Sequence, residues 1–122
     1  MYISTEYVYN PVNWYAQTKK MAEALVVTGV NPYLIISTLF KPSPFPFEKA
    51  FIDQYTMGDY VDVIAPMIVD EIKRWDRKTN KLVDVGTGRK TIFELAKRTR
   101  PDVKPCSVDD IKGVKLPKDY EC

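Results

Sequence analysis

The sequence has 122 residues, of which 45% are hydrophobic and 12% aromatic, so it is long enough for one folded domain with a modest core. Its 18 basic and 16 acidic residues give a net charge of +2 and are spread along the chain, which argues against a nucleic-acid partner. The chain contains no histidine, so the commonest general base and metal ligand is missing. Any chemistry must therefore use tyrosine, lysine, serine, threonine or carboxylates.

Cysteine usage and hydropathy exclude further classes of protein. Cys106 and Cys122 lie far apart without a second pair, so we expect neither a zinc cluster nor a disulfide framework. The longest apolar run, residues 33–40, is too short to span a bilayer, and no charged and then apolar leader opens the chain. We therefore expect a cytoplasmic protein that binds no metal and no membrane.

The first 40 residues predict a βαβ unit. Residues 2–9 are rich in β-branched and aromatic types and end at an Asn-Pro pair, which predicts a strand followed by a turn. Residues 14–29 predict a helix that stops at its glycine, and residues 33–40 form the near-continuous apolar run typical of a buried parallel strand. A strand, a helix and a strand joined by short connections form a βαβ unit, and such crossovers are almost always right-handed. The apolar face predicted for the helix consists of Trp14, Met21, Ala22, Leu25 and Val26.

A proline-rich loop is predicted after the second strand. Residues 41–51 contain three prolines within five positions, which excludes a helix or a strand ladder there. The loop carries Phe45, Phe47 and Phe51. These rings could form a lid over a ligand or a partner surface, or they could pack onto the core of the protein itself.

The second half of the chain predicts two further helices and one more strand. A helix capped by Asp59 or Asp62 should run to about Trp75, with a short strand at residues 81–85 after it. The sequence "GTGRKT" then leads into another helix whose first turn has a capping-box pattern, and residues 101–122 form a charged, irregular tail. The buried stripe predicted for the first of these helices consists of Val61, Ile64, Ile68, Ile72 and Trp75. The capping box of the second helix pairs Thr91 with Glu94.

These elements define the fold class as α/β. We expect a partial Rossmann-like parallel sheet, made of the βαβ unit and one further short strand, with flanking helices and an irregular tail. Residues 1–122 should form a single domain.

The "GTGRKT" segment is similar to a phosphate-binding loop but does not have its spacing. In the Walker pattern a glycine directly precedes the lysine, whereas Arg89 separates Gly88 from Lys90 here. A tight turn followed by a capping box explains the segment, although the start of the helix and its two cations could also bind an anion.

Tyr15 and Lys19 form a Tyr-x-x-x-Lys spacing on the first predicted helix. About one such spacing is expected by chance in a chain of this composition, so a surface pair remains an alternative explanation. On a helix the two side chains lie one turn apart. The ammonium can lower the pKa of the phenol, which would then exchange a proton with a carbonyl or hydroxyl oxygen held by Thr5 or Ser4.

The segments "ISTEYVY" and "NWYAQTKKMAE" resemble the fifth strand and the following helix of extended short-chain dehydrogenases/reductases, above all the dTDP-4-dehydrorhamnose reductase branch. Three later segments, "PYLIISTLF", "DQYTMGDYVDVIA" and "LVDVGTGRKTIFELA", resemble this branch in the same order. The resemblance therefore covers most of the chain and matches only the carboxyl-terminal half of the family. It implies reduction of a 4-keto-6-deoxy nucleotide sugar with NADP or NAD as the cofactor.

The resemblance also implies roles for single residues. Thr5 would orient the substrate carbonyl, Tyr15 would donate the proton, and Lys19 would lower the pKa of the tyrosine and hold the nicotinamide ribose. The residues expected beside the nicotinamide are Leu39, Phe40 and Pro42, and those expected to bind substrate are Ser4, Glu6, Phe45 and Phe47.

Several departures from the family pattern leave other functions open. Glu6, Ala16 and Ser37 stand where the family usually has Asp, Gly and Arg, and the loop after Tyr9 is short. The chain also lacks the glycine-rich fingerprint that holds the cofactor pyrophosphate. The chain could therefore be one half of a split enzyme completed by a second polypeptide, a self-assembling subunit, or a non-catalytic regulatory module.

Overall fold

The computed structural model describes residues 1–120, and Cys122 lies outside the described residues. The strands are β1 (Tyr2–Thr5), β2 (Leu34–Thr38), β3 (Phe40–Lys41), β4 (Lys49–Phe51), β5 (Tyr55–Thr56), β6 (Asp59–Tyr60), β7 (Lys81–Asp84), β8 (Lys90–Thr91) and β9 (Lys104–Cys106). The α-helices are α1 (Trp14–Gly29), α2 (Val61–Arg74) and α3 (Ile92–Lys97), and short 3-10 helices span Glu6–Tyr9 and Val108–Asp110. No helix among residues 1–120 is long and apolar enough to cross a membrane.

A three-stranded parallel sheet in the order β1-β2-β7 forms the centre of the fold. All five residues of β2 are buried, as the apolar run predicts for a strand covered on both faces. β1 and β7 lie at the edges, so β1 has a strand partner on one side only among the described residues. The predicted α/β fold with a βαβ unit and one further parallel strand is confirmed.

The helices α1 and α2 cover opposite faces of this sheet. On one face Ile64, Ile68 and Ile72 of α2 pack in a core cluster with Leu34 and Ile36 of β2, which confirms most of the predicted stripe. On the other face, Glu23 of α1 accepts a hydrogen bond from Ser4 of β1, and Lys19 lies over the ring of Tyr2. Residues alternate between the two faces along each strand, and this alternation gives each helix its own set of contacts.

The predicted apolar face of α1 is largely exposed. The exposed fractions are 78% for Trp14, 63% for Met21 and 71% for Leu25, and Ala16 is the buried residue of the helix. The helix itself has the predicted bounds, because Asn13 caps its start and Gly29 ends it. Within residues 1–120, β1 is an edge strand and the sheet does not extend beyond it under that side of the helix.

The first predicted strand is too long. β1 ends at Thr5, whose Oγ1 accepts a hydrogen bond from the backbone N–H of Tyr7 and thereby starts the 3-10 helix Glu6–Tyr9. The second strand also ends early, at Thr38, and the chain then leaves the central sheet to form β3, which pairs with β6.

A second core lies beyond the sheet. Its buried members are Phe45, Ala50, Tyr60, Ile92, Leu95, Ala96 and Val103. The predicted absence of a strand ladder in residues 41–51 is wrong at both ends, because Lys41 belongs to β3, which pairs with β6, and β4 pairs with β9. Phe45 lies in the core while Phe47 is 58% exposed, so the loop uses one ring for packing and presents the other to solvent.

The cap predicted for α2 is also wrong. Tyr60 occupies the cap position without a side-chain hydrogen bond, and the Asp59 carboxylate instead accepts hydrogen bonds from Thr87 and Arg98. Thr91 caps α3 as predicted, since its Oγ1 accepts a hydrogen bond from the Glu94 N–H, but only this half of the predicted capping box is formed.

The described part of the tail is irregular after Asp110, but it is fixed to the body of the protein. Gln54 donates to the Pro117 carbonyl at 2.9 Å, and the guanidinium of Arg89 binds both carboxylate oxygens of Asp119. The tail also contacts the start of α1, since Asn13 donates a hydrogen bond to the Lys115 carbonyl and residues 113–116 line a cavity with Trp14 and Tyr15.

Candidate functional site

A cavity of about 490 Å³ lies at the carboxyl ends of β1 and β2, next to the first turns of α1. Its lining residues are Ile3, Ser4, Thr5, Tyr7, Tyr15, Lys19, Thr38, Leu39, Phe40 and Lys41. We call this the Tyr15 cavity. Cavities at the carboxyl ends of parallel strands are where α/β folds commonly bind ligands.

Lys19 is held by the sheet edge. Its ammonium donates a hydrogen bond to the Ile3 carbonyl at 2.9 Å and lies 4.7 Å from the centroid of the Tyr2 ring. An ammonium has three donors, so the bond to Ile3 leaves donors that can point to a ligand in the cavity. The backbone contact holds the charge at the cavity that Tyr15 also lines, without neutralising it.

Tyr15 lies on the first turn of α1 and is 56% exposed. Its ring meets that of Tyr7 edge to face, with centroids 6.3 Å apart. The start of α1 is fixed by Asn13, whose Oδ1 accepts from the Ala16 N–H and whose Nδ2 donates to the Lys115 carbonyl, both at 2.8 Å. A helix cap and the tail together therefore position the Tyr15 ring.

The two hydroxyls predicted to hold a substrate oxygen differ in the hydrogen bonds that they already make. Thr5 Oγ1 accepts from the Tyr7 N–H at 3.3 Å, so its own proton remains available to a ligand. The Ser4 hydroxyl donates to Glu23 Oε2 at 3.4 Å, and this bond ties it to α1. Both residues are buried and both line the Tyr15 cavity. Thr5 is the better donor to a carbonyl oxygen.

Glu6 does not line the Tyr15 cavity. Its side chain is buried and accepts hydrogen bonds from the Thr56 hydroxyl and the Met57 N–H, and burial raises the pKa of its carboxyl. It borders a separate, smaller cavity with Tyr9 and Asp84. The 3-10 turn after β1 explains this position, because it carries Glu6 away from the direction of the strand.

Leu39 and Phe40 line the Tyr15 cavity, whereas Pro42 does not. Phe45 and Phe47 line a neighbouring cavity of about 620 Å³, which we call the Phe47 cavity. Lys41 lines both, so the two cavities share a wall.

Four lining residues were not among the predicted site residues, namely Ile3, Tyr7, Thr38 and Lys41. Alternation along the predicted strand puts Tyr7 on the face of Thr5, so this signal was present in the sequence. Thr38 and Lys41 flank the predicted residues Leu39 and Phe40. Whether they line the cavity depends on the residue at which the chain leaves the sheet, and no local sequence pattern indicates that residue.

The cations of the "GTGRKT" segment stabilise the fold. The buried Lys90 ammonium donates to the Gly58 carbonyl at 2.6 Å, and Arg89 pairs with Asp119. Both charges are engaged with the protein itself, so these contacts favour the tight turn over an anion site.

Comparisons with known proteins give a result at the level of fold. No family model matches the sequence, and no curated protein matches significantly. A dTDP-4-dehydrorhamnose reductase from Clostridium acetobutylicum matches 98% of this chain, with a TM-score of 0.74 and 20% identity. A dTDP-4-dehydrorhamnose reductase from Bacillus anthracis, solved in complex with NADP, matches 97% of this chain, with a TM-score of 0.73 and 23% identity.

The chain has the fold of half a dTDP-4-dehydrorhamnose reductase. It covers 54% of the length of each of these two structures, and the matched part is their carboxyl-terminal half. The resemblance predicted from "ISTEYVY" and "NWYAQTKKMAE" is thereby confirmed for the fold. At these identities the likeness leaves activity and substrate to be argued from the site.

Proposed function

We propose that this chain carries the substrate-reducing part of an NAD(P)H-dependent reductase that acts on a 4-keto-6-deoxy nucleotide sugar. The observation that carries the proposal is the convergence of Thr5, Tyr15 and Lys19 on one cavity in a reductase fold. Residues 1–122 then act as one unit, equivalent to the catalytic helix and the substrate-binding part of the family. A cytoplasmic location belongs to the proposal and rests on the lack of a disulfide framework in the sequence.

Each of the three residues has a role that its surroundings permit. The Thr5 hydroxyl holds the substrate carbonyl oxygen, and Tyr15 donates its phenolic proton to that oxygen as the carbonyl carbon is reduced. The Lys19 ammonium stabilises the phenolate that remains, and water then returns the proton. A bound nicotinamide cofactor supplies the hydride.

The residues present fit the nicotinamide end of the cofactor. Lys19 offers free donors to a ribose, and Leu39 and Phe40 offer apolar surface for a ring, with Pro42 following them in the chain. The sequence contains no glycine-rich fingerprint for the pyrophosphate end. The element that holds the pyrophosphate must therefore lie outside residues 1–122, and a second polypeptide is one possible source of it in this proposal.

Cofactor binding can be tested directly by titrating the chain with NADPH and with NADH while following tryptophan fluorescence, because Trp14 directly precedes Tyr15. We expect saturable quenching that Lys19→Met weakens and that the exposed control Lys78→Met leaves unchanged. Equal affinity in both variants would contradict the role given to Lys19.

Turnover requires a complete cofactor site, which a chimera can provide. The part of the Bacillus anthracis reductase outside the match is fused ahead of this chain, and NADPH oxidation is measured with dTDP-4-dehydrorhamnose. We expect Tyr15→Phe to lower kcat by at least about 100-fold, the usual contribution of a general acid, while NADPH binding is kept. A folded chimera that binds NADPH and reduces no nucleotide sugar would refute the proposed function.

A non-catalytic binding module is the second candidate. The exposed apolar side of α1 and the open edge of β1 favour it, because both are features of a surface that binds a partner. Tyr15→Phe separates the two candidates, since a regulatory module keeps its effect on the partner and a reductase loses turnover.

A further inference from the structure

A further cavity lies beside Tyr15, on the side of the tail. Its volume is about 470 Å³, and its lining includes tail residues 113–116 together with Tyr7, Trp14 and Tyr15. Tyr7 and Tyr15 also line the Tyr15 cavity, so this pair of rings separates the two cavities. With open space on both sides, the direction of the Tyr15 ring depends on its edge-to-face contact with Tyr7.

Gln54 connects Tyr7 to the tail. It is only 3% exposed, and its side-chain Nε2 donates hydrogen bonds to the Tyr7 hydroxyl at 3.2 Å and to the Pro117 carbonyl at 2.9 Å. A carbonyl can only accept, so the amide nitrogen of Gln54 has to face Pro117, and the two N–H donors are then both used. One amide group therefore holds the Tyr7 hydroxyl and the tail together.

The backbone around Gln54 fixes this amide to the second core. The Ile92 N–H donates to the Gln54 carbonyl at 3.0 Å, and Ile92 is a buried member of that core. The next residue, Tyr55, donates its N–H to the Lys118 carbonyl at 2.7 Å, which gives the tail a second attachment at the same place. Gln54 is thus a fixed reference point from which the position of Tyr7 is set.

The Tyr7 phenol is suited to support Tyr15 rather than to replace it as an acid. Burial raises the pKa of Tyr7, so its hydroxyl stays protonated at neutral pH and accepts the Gln54 bond as a neutral group. A neutral neighbour adds no second negative charge when Tyr15 gives up its proton.

We propose that Gln54 is a positioning residue for Tyr15: its amide holds Tyr7 against the tail at Pro117, and the Tyr7 ring then sets the direction of the Tyr15 phenol. The unbroken series of contacts from the tail through Gln54 and Tyr7 to Tyr15 carries the proposal. This inference rests on the proposed function for the proton transfer by Tyr15, whereas the orientation of the ring rests on the contacts alone.

Nuclear magnetic resonance of the free chain with isotope-labelled tyrosine rings tests the orientation without cofactor or turnover, and Tyr15→Phe assigns the Tyr15 signal. We expect a nuclear Overhauser contact between the Tyr7 and Tyr15 rings in the wild type, because the edge-to-face geometry brings their ring protons close together. Gln54→Met removes both N–H donors at a similar side-chain length. It should weaken this contact and shift the Tyr15 signal.

Tyr7→Phe separates the effect on the rings from the effect on the tail. It removes the hydroxyl that accepts from Gln54 but keeps the Gln54 bond to Pro117, so it should loosen the Tyr15 ring while the tail stays docked. Gln54→Met should loosen both. Trypsin cleavage after Lys115 measures the docking of the tail, and we expect faster cleavage in Gln54→Met than in Tyr7→Phe or the wild type.

Gln17→Met and Tyr33→Phe are the matched controls. Gln17 is exposed on α1, Tyr33 precedes β2 at the end away from the Tyr15 cavity, and neither residue lines a cavity beside Tyr15. Both controls should keep the ring contact and the trypsin resistance of the wild type. Circular dichroism checks the fold of Gln54→Met, and if that variant unfolds, Tyr7→Phe still tests the ring contact because it keeps the ring.

The chimera tests the consequence for turnover. Gln54→Met and Tyr7→Phe should each lower kcat by about tenfold with little change in KM, since a misdirected acid slows proton transfer more than it weakens binding. The double variant should lose no more than Gln54→Met alone, because both changes break the same hydrogen bond.

An unchanged ring contact in both Gln54→Met and Tyr7→Phe overturns the assignment, and so does an additive loss of kcat in the double variant. A chimera that reduces nothing refutes the proposed function instead. The resonance experiment then still decides whether Gln54 orients Tyr15, since it uses the free chain.

Discussion

Gly58 is the residue at which a single added methyl group should disturb both the fold and the Tyr15 cavity. A Cβ built on Gly58 would overlap the Leu39 carbonyl oxygen and lie 2.8 Å from the Leu39 carbonyl carbon. That oxygen accepts the Asp59 N–H at 3.3 Å, where β6 approaches β3. The overlapping atoms belong to the backbone. In Gly58→Ala the overlap can therefore be relieved only if the chain moves at Leu39.

The expected cost combines overpacking with a weakened ladder hydrogen bond, and we estimate about 2 to 4 kcal/mol for Gly58→Ala. For a domain of this size such a loss lowers Tm by roughly 10 °C. Gly88→Ala is the matched control, because a Cβ on Gly88 meets nothing within 4 Å. Urea unfolding measures both variants, and equal stability of the two would refute the reasoning. Because Leu39 lines the Tyr15 cavity, Gly58→Ala should also weaken NADPH binding in the fluorescence titration.

Three further predictions concern packing, pH and association. Tyr60→Phe removes a buried hydroxyl that donates to the Leu95 carbonyl at 2.6 Å, and it should cost about 1 to 3 kcal/mol in urea unfolding; an unchanged midpoint would contradict this. Burial raises the pKa of Glu6, so the folded state favours the protonated carboxyl, and stability should fall as pH rises from 4.5 through the raised pKa. Glu6→Gln should remove that decline in unfolding experiments across this pH window, and a pH-independent difference between variant and wild type would contradict it. The isolated chain should self-associate through α1, and replacing Trp14 and Leu25 with lysine should shift sedimentation toward the monomer; a wild-type monomer at high concentration would disprove this.

Short-range sequence patterns predicted the elements whose structure depends mainly on the spacing of their own apolar residues. β2 has every residue buried, so its continuous apolar run was sufficient to identify it. The spacing of Ile64, Ile68 and Ile72 identified α2 for the same kind of reason. The end of β1 was missed because one hydrogen bond, from the Tyr7 N–H to Thr5 Oγ1, turns the chain into a 3-10 helix, and the alternation of residue types continues past that point.

Non-local contacts explain what the sequence did not reveal. The exposure of Trp14 and Leu25 depends on which strand lies beside β1, and no pattern within α1 carries that information. The strand β4 was missed because its partner β9 is about half the chain away in sequence. The Phe47 cavity depends on the same pairing, since its lining comes from both strands.

The Thr5, Tyr15 and Lys19 cluster was accessible to sequence reasoning because topology alone brings its members together. Thr5 is the last residue of β1, and Tyr15 and Lys19 lie in the first turns of the helix that follows it. A short connection between strand and helix leaves few other arrangements. Lys41 was not accessible in this way, because its place between the two cavities follows from the departure of the chain at Leu39.

The two sides of the Tyr15 cavity differ in how much of the protein packs against them. This difference should affect how tightly ligands bind. The side formed by β3 is paired with β6, next to the second core. The side formed by α1 carries an apolar surface that faces solvent, and β1 beside it is an edge strand. A partner that covers this surface should therefore order the α1 side of the cavity, which carries Tyr15 and Lys19, more than the β3 side. We expect NADPH to bind the chimera at least about tenfold more tightly than the free chain, because the missing contacts are then supplied. Equal NADPH affinity in the chimera and in the free chain would contradict this expectation.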